Sequence, residues 1–209
     1  MRSIRKGPEP RSLVEYRNSA HSNYDNFADK DTLRAFLLAE QGGLCCYCLS
    51  RIRHDNMKIE HWHCQSHHES EQLDYSNLLG ACKGNEGRRP AEQHCDTAKG
   101  DLTLSRNPAN PDHRVVDLVR FPADGRIASD DPAFDTELNE VLNLNYSRLK
   151  ENRKATLDGF LRGLPKSGEL QRAKLEGWLH EWNEVSHNGE LRPFCQVVVH
   201  WLRKRLAGI

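Results

Sequence analysis

Six of the seven cysteines in this chain (45, 46, 48, 64, 82, 95) and six of its eleven histidines (54, 61, 63, 67, 68, 94) fall between residues 45 and 95. That crowding constrains the fold more than any other feature. An odd thiol count suits a disulfide framework poorly. In a reducing compartment, clustered thiols point to metal. Cys45 and Cys48 form a C-x2-C pair within CCYC (45–48), and Cys82 and Cys95 form a second candidate pair with twelve residues between them. Four thiolates can enclose one tetrahedral zinc and cross-link distant loops. Cys46, Cys64 and His94 stand as rival ligands. A redox role for Cys45-x2-Cys48 is disfavoured, because no thioredoxin-like βαβ pattern surrounds it.

The remaining composition sets limits. The chain has 209 residues, with 30 Lys+Arg against 30 Asp+Glu and 37% hydrophobic residues. Zero net charge means that nucleic-acid binding cannot be read from bulk charge. No apolar run reaches the 18 residues of a membrane span, and MRSIRKGPEPRSL lacks the apolar segment of a secretion signal. A cytoplasmic chain with no membrane partner is expected.

Residues 1–28 read as an irregular arm containing Pro8 and Pro10. A helix is expected at about 31–41, with Asp31 as N-cap and Gly42-Gly43 as its stop. NMKIEHWH (56–63) alternates as a strand, with Met57, Ile59 and His61 on one face and Lys58, Glu60 and Trp62 on the other. NLLGAC (77–82) is a short apolar stretch, KGNEGRRPAEQ (83–93) a turn-rich insertion, and HCDTAKGD the start of a helix or turn. Residues 105–132 carry four prolines, with one hairpin expected from VVDLVRF through PADG to RIAS. Helices follow near 133–143, 146–162, 168–184 and 193–206; in the last, Phe194, Val197, Val198, Trp201 and Leu202 share one face. This change in composition suggests two regions, 1–131 and 132–209.

Glu60-His61 lies on the expected strand between the cysteine pairs. A carboxylate can hold a hard divalent cation. A neighbouring imidazole, with an ordinary pKa of about 6.5, can take a proton from water. Side chains adjacent on a strand diverge, so a strand end or bulge must re-aim them. Asn77, His94-Cys95-Asp96 and Lys99 follow downstream.

The order CCYC (45–48), IEHW (59–62), YSNLLGAC (75–82) and HCDTAK (94–99) resembles the HNH endonucleases. KGPEP (6–10), EQGGLCCYC (40–48) and LNLNYSRLKENR (142–153) are similar, more narrowly, to the retron- and Septu-associated HNH nucleases of the PtuB type. The resemblance implies an α+β fold. Its core would be a ββα-metal unit braced by zinc, with an N-terminal helix before it and a mostly helical C-terminal region after it. It implies zinc on Cys45, Cys48, Cys82 and Cys95, a catalytic Mg²⁺ or Mn²⁺ on Glu60 and Asp96, and His61 as general base. Asn77 would orient the loop around the base, and Lys99 would contact a phosphate. His94 is the rival to Asp96. Two departures stand out: the second cysteine pair is widely spaced, and Asp96 replaces the usual final His or Asn. The family implies nucleic acid as substrate, DNA before RNA, with an ABC/SMC-like ATPase of the PtuA type as partner. The resemblance implies, as in some members of the family, a retron reverse transcriptase and its msDNA as further partners. The C-terminal helices are the expected docking surface.

Other features have plainer readings. Arg51, Arg53, Arg88 and Arg89 could follow a phosphate backbone or be ordinary solvated charge. Trp62 is expected to pack, and Trp178, Trp182 and Trp201 to sit in the core. His63, His67 and His68 read as loop residues rather than a second metal site. The alternatives to a DNA nuclease are an RNA-cleaving (tRNA) HNH toxin and a non-catalytic zinc-knuckle binding module.

Overall fold

β1 (Met57–His61) and β2 (Leu78–Cys82) pair antiparallel, with Met57 opposite Cys82 and His61 opposite Leu78. The computed structural model that shows this describes residues 1–165 and 171–208. The hairpin is short, but both of its faces are covered. Leu78, Leu79 and Ala81 are fully buried, and Met57 and Glu60 are nearly so. A helix, α2 (Lys30–Glu40), precedes the hairpin and buries Leu33 and Leu37. Asp29 caps it, accepting from the Thr32 backbone N–H, rather than Asp31 as the sequence suggests. An aspartate one residue before the first helical turn satisfies an orphan donor there, whereas Asp31 lies inside that turn. Gln41, just past the helix, docks it onto β2. Its amide donates to the Leu44 and Gly80 carbonyls and accepts from the Gly80 N–H.

The N-terminal arm is not wholly irregular. α1 (Arg11–Arg17) starts directly after Pro10 and buries Leu13. A proline at a helix entrance removes no intrahelical bond, so the prolines that suggested an arm permit a helix just beyond them.

The wide Cys82–Cys95 spacing is closed at its base. The His94 N–H donates to the Gly84 carbonyl at 3.0 Å, so the insertion leaves β2 and returns beside it. Asn143 holds the far side, donating from Nδ2 to the Ala91 and Gln93 carbonyls, and Leu142 accepts from the Cys95 N–H. Gly84 has φ +52°, and a Cβ there would lie 2.0 Å from the His94 carbonyl oxygen. Gly84→Ala is therefore expected to cost about 1–3 kcal/mol or more. Thermal denaturation measures this; an unchanged melting temperature would mean that the loop closes differently.

A one-turn helix, α3 (Asp96–Lys99), follows Cys95 directly. α4 (Val115–Leu118) leads into β3 (Val119–Arg120), which pairs with β4 (Ala128–Ser129); the expected hairpin is thus reduced to two residues a side, and the VVDL expected to begin it is helical. α5 (Pro132–Thr136) runs into a π-helical turn at Glu137–Val141. Then come α6 (Ser147–Arg162), α7 (Arg172–Asn183) and α8 (Cys195–Ala207). The expected start of α7 at 168 lies outside the described residues. Val197, Val198 and Leu202 of α8 are buried, as the periodicity requires. Phe160 is met edge-on by Trp178, Trp182 and Trp201 at 5.6–5.7 Å. Such pairs add about 0.5–1.5 kcal/mol each beyond area burial. One apolar cluster runs from Met1 through the cysteine knuckle and the hairpin to Leu202. Arg153 of α6 is 2% exposed and reaches back to the Gly125 and Leu144 carbonyls. The described residues are thus of mixed α and β structure with two small sheets. Among the described residues, no helix is long and apolar enough to cross a membrane.

Candidate active site and metal cluster

Cys45 and Cys48 sit in the turn after α2, Cys82 ends β2 and Cys95 precedes α3. The fold brings these four thiols together, with all ligand atoms within 4.8 Å of one another. Cys45 Sγ lies 3.9 Å from Cys95 Sγ, and Cys48 Sγ 3.7 Å from Cys82 Sγ. A tetrahedron with Zn–S bonds of about 2.3 Å has edges of about 3.8 Å, so the spacing fits zinc. It does not fit disulfides, and all seven cysteines are free. Burial opposes ionisation of Cys45, but the surrounding thiols donate to it and hold it below the ordinary range. Cys95 is pushed up by burial, and Cys82 chiefly by its thiol neighbours.

The rival ligands lie outside this set of four. Cys46 is buried, and its backbone N–H bonds the Gly80 carbonyl. Cys64 is buried beside Ser66. His94 flanks the cluster, with Nδ1 3.2 Å from Cys95 Sγ and its ring stacked on Tyr146.

On the hairpin, Glu60 is 2% exposed. Its Oε1 accepts from the Tyr47 hydroxyl at 2.6 Å and pairs with Lys99 Nζ at 2.9 Å. Both donors meet the same oxygen, which leaves Oε2 for a further partner. Asp96, at the start of α3, faces the same carboxyl. Burial first, and the facing Asp96 next, push Glu60 well above the carboxylate range. Burial also opposes ionisation of Asp96, but Glu60 and Lys58 hold its carboxyl below its ordinary value. Two facing carboxyls whose charges oppose one another form a site that a hard cation could neutralise.

His61 ends β1 and turns to different surroundings, as adjacent strand positions do. Its Nε2 lies 2.9 Å from the Gln72 carbonyl oxygen, and Tyr24 packs edge-on at 4.4 Å. A carbonyl can only accept, so Nε2 carries the proton and Nδ1 keeps its lone pair. Burial lowers the His61 pKa, and Asp96 and Lys99 both act on it electrostatically.

Asn77 is buried at the other end of the loop that follows β1. Its Oδ1 accepts from the His63 N–H at 2.7 Å, and its Nδ2 donates to the His63 and Glu71 carbonyls. It therefore ties His63 to Glu71, the residue just before Gln72.

The phosphate contact expected of Lys99 does not fit its placement. Lys99 is 1% exposed, with its ammonium held between Glu60 and the His61 carbonyl. Its ammonium is turned inward and serves to neutralise the Glu60 carboxyl rather than to reach a phosphate. Arg88 and Arg89 are exposed on the insertion, and Arg89 pairs with Glu92. Arg51 is committed internally, to the Gly42, Gly43 and Leu191 carbonyls.

Three site residues have no counterpart in the sequence reading. Tyr47 and the Gln72 carbonyl are single contacts made through the tertiary fold. Lys58 is half-buried, 3.1 Å from Asp96 and bonded to Thr97. The strand alternation carries its signal, since it places Lys58 on the Glu60 face.

No family model matches the chain. It is similar to a protein of Escherichia coli named "Retron Ec83 putative HNH endonuclease", at 25% identity with 88% of each chain covered.

Proposed function

We propose that this chain is a metal-dependent HNH-type endonuclease that hydrolyses nucleic-acid phosphodiester bonds, DNA before RNA. The observation that carries the reading is the paired carboxyls of Glu60 and Asp96 beside a tautomer-fixed His61. The printed name of the E. coli relative points the same way. The two small strands followed by α3 are read as the ββα unit of that fold, with structural zinc on Cys45, Cys48, Cys82 and Cys95.

Glu60 and Asp96 would hold Mg²⁺ or Mn²⁺, consistent with their oxygen-only donors. Bound there, the cation supplies Lewis-acid polarisation of the phosphoryl oxygen and charge for the leaving oxygen. Tyr47 and Lys99 fix the Glu60 carboxylate by saturating one oxygen. His61 Nδ1 takes the proton from the attacking water, while the Gln72 carbonyl keeps Nε2 protonated. Asn77 is a positioning residue that fixes the loop on which that carbonyl sits. Lys58, with Arg88 and Arg89, offers positive charge to the phosphate backbone. The relative's retron context suggests a role in anti-phage defence. There the chain would act in the cytoplasm with an ABC/SMC-like ATPase of the PtuA type. The region 132–209 would supply the docking face, and a retron reverse transcriptase with its msDNA is a further partner.

The test is cleavage of labelled DNA and RNA with Mg²⁺, with and without a co-purified ATPase. Product from one polymer names the substrate. No cleavage with either, with or without the partner, would favour the non-catalytic binding module. A companion measurement concerns pH. Protons compete with the cation for the Glu60 carboxyl, whose pKa burial pushes upward, so Mg²⁺ affinity is expected to fall as pH falls. In Asp96→Asn the site loses one anionic ligand, and Mg²⁺ affinity is expected to drop by more than about tenfold. Calorimetry at several pH values reads this competition; an Mg²⁺ affinity that does not weaken as pH falls would argue against the pair as ligands.

A further inference from the structure

Three ligating side chains that play no part in the proposed chemistry meet in the loop between β1 and β2. His63 Nδ1 lies 2.7 Å from Glu71 Oε2, and His68 Nδ1 lies 4.0 Å from Glu71 Oε1. The imidazoles of His63 and His68 stack, with centroids 4.4 Å apart and planes 17° apart. One donor atom from each residue falls within 4.8 Å of the others. We propose that His63, His68 and Glu71 bind a zinc-type divalent cation, which staples the loop that aims His61.

The donor set is two imidazoles and one carboxylate, the combination used by three-ligand zinc and iron sites that keep a position open. A site with bonds of about 2.0–2.1 Å needs edges of about 3.4 Å. One edge is already shorter, and closing the others moves side chains that are 28–39% exposed and so free to adjust. His63 and Glu71 also line, with Asn107 and Asn110, an open cleft of about 330 Å³, which leaves room for the remaining ligand positions. Trp62 lines the same cleft, and its buried Nε1–H has no hydrogen-bond partner among the described residues.

The consequence follows from the backbone. Glu71 precedes Gln72, whose carbonyl fixes the His61 tautomer, and the Glu71 carbonyl itself accepts from Asn77. A cation joining Glu71 to His63 and His68 closes the segment 63–71 on itself. The Gln72 carbonyl then has fewer alternative positions. Binding at this site does not depend on the nuclease reading; only its effect on His61 does.

The test loads wild type, His68→Ala and Glu71→Gln with Zn²⁺ or Co²⁺, removes weakly held metal by dialysis, and counts what remains. Wild type is expected to retain one equivalent more than either variant. In the cobalt form, the extra equivalent should add d–d absorption without thiolate charge transfer. Zn²⁺ affinity at this site should fall more than about tenfold on loss of one ligand, since even outer-shell partners are worth 10–100-fold. The thiolate charge-transfer band, unchanged in both variants, reports that the cysteine cluster and fold persist. Should a variant lose that band, the other decides. Equal metal content and equal cobalt spectra in wild type and His68→Ala would overturn the proposal, whether or not the protein cleaves nucleic acid.

Discussion

His61→Ala is expected to reduce phosphodiester cleavage by about 10²–10⁴-fold, the range that a positioned general base supplies. Zinc content should be unchanged, because His61 contacts the Gln72 carbonyl and Tyr24 rather than the cysteine cluster. In the proposed role, the same residue sets the acid limb of the pH profile. A base must be neutral to act, and burial lowers the His61 pKa from 6.5. Activity at saturating Mg²⁺ should therefore persist below pH 6.5 and fall only as pH drops through the lowered value. Asn77→Ala separates positioning from proton transfer, since it frees the loop but leaves the imidazole in place. It should lower the rate less than His61→Ala while leaving the acid limb attached to His61. Cleavage at the wild-type rate by His61→Ala would remove His61 from the chemistry. Glu60→Ala is a poorer probe. It would leave the Lys99 ammonium buried without its carboxylate, at a cost of about 3–5 kcal/mol, and lost activity could then reflect lost fold.

Parts of this arrangement are legible in the sequence for identifiable reasons. The alternation of residues 57–62 marks a strand and puts Lys58 beside Glu60 on one face. The apolar spacing of α8 marks its buried side. The C-x2-C of Cys45 and Cys48 is local, and so is the order of Asp96 and Lys99 behind Cys95. What sequence spacing could not supply is closure across distance. Twelve residues separate Cys82 from Cys95, and only the return of His94 onto Gly84 brings their thiols together. Lys99 reads as a surface cation because lysine usually is one. Its burial depends on Glu60 and the His61 carbonyl, both supplied by a strand 38 positions earlier. The Tyr47–Glu60 and His61–Gln72 contacts are likewise made by packing, and no residue-type pattern announces them. α1 was hidden for the opposite reason: two prolines signal irregular chain, although a helix can begin immediately after one.

Loss of the zinc proposed on the four cysteines should have the largest effect on the protein as a whole. Structural zinc binds with apparent free energies of about 10–16 kcal/mol in small zinc domains, comparable with the total stability of a typical domain, about 5–15 kcal/mol. Here the four thiols join the turn after α2, the end of β2 and the start of α3. The turn carries Tyr47, which holds Glu60, and α3 carries Asp96 and Lys99. Unlinking them should therefore loosen the paired carboxyls before the helices of the C-terminal region separate. Cys45→Ser and Cys95→Ser are expected to purify with sub-stoichiometric zinc, low solubility and a broadened thermal transition. Cys46→Ser, altering a buried thiol outside the set of four, should keep its zinc. Metal analysis of the three variants decides the matter. Undiminished zinc in Cys45→Ser would refute the ligand set. Zinc loss in Cys46→Ser alone would move the ligand by one residue, and with it the geometry by which Tyr47 reaches Glu60.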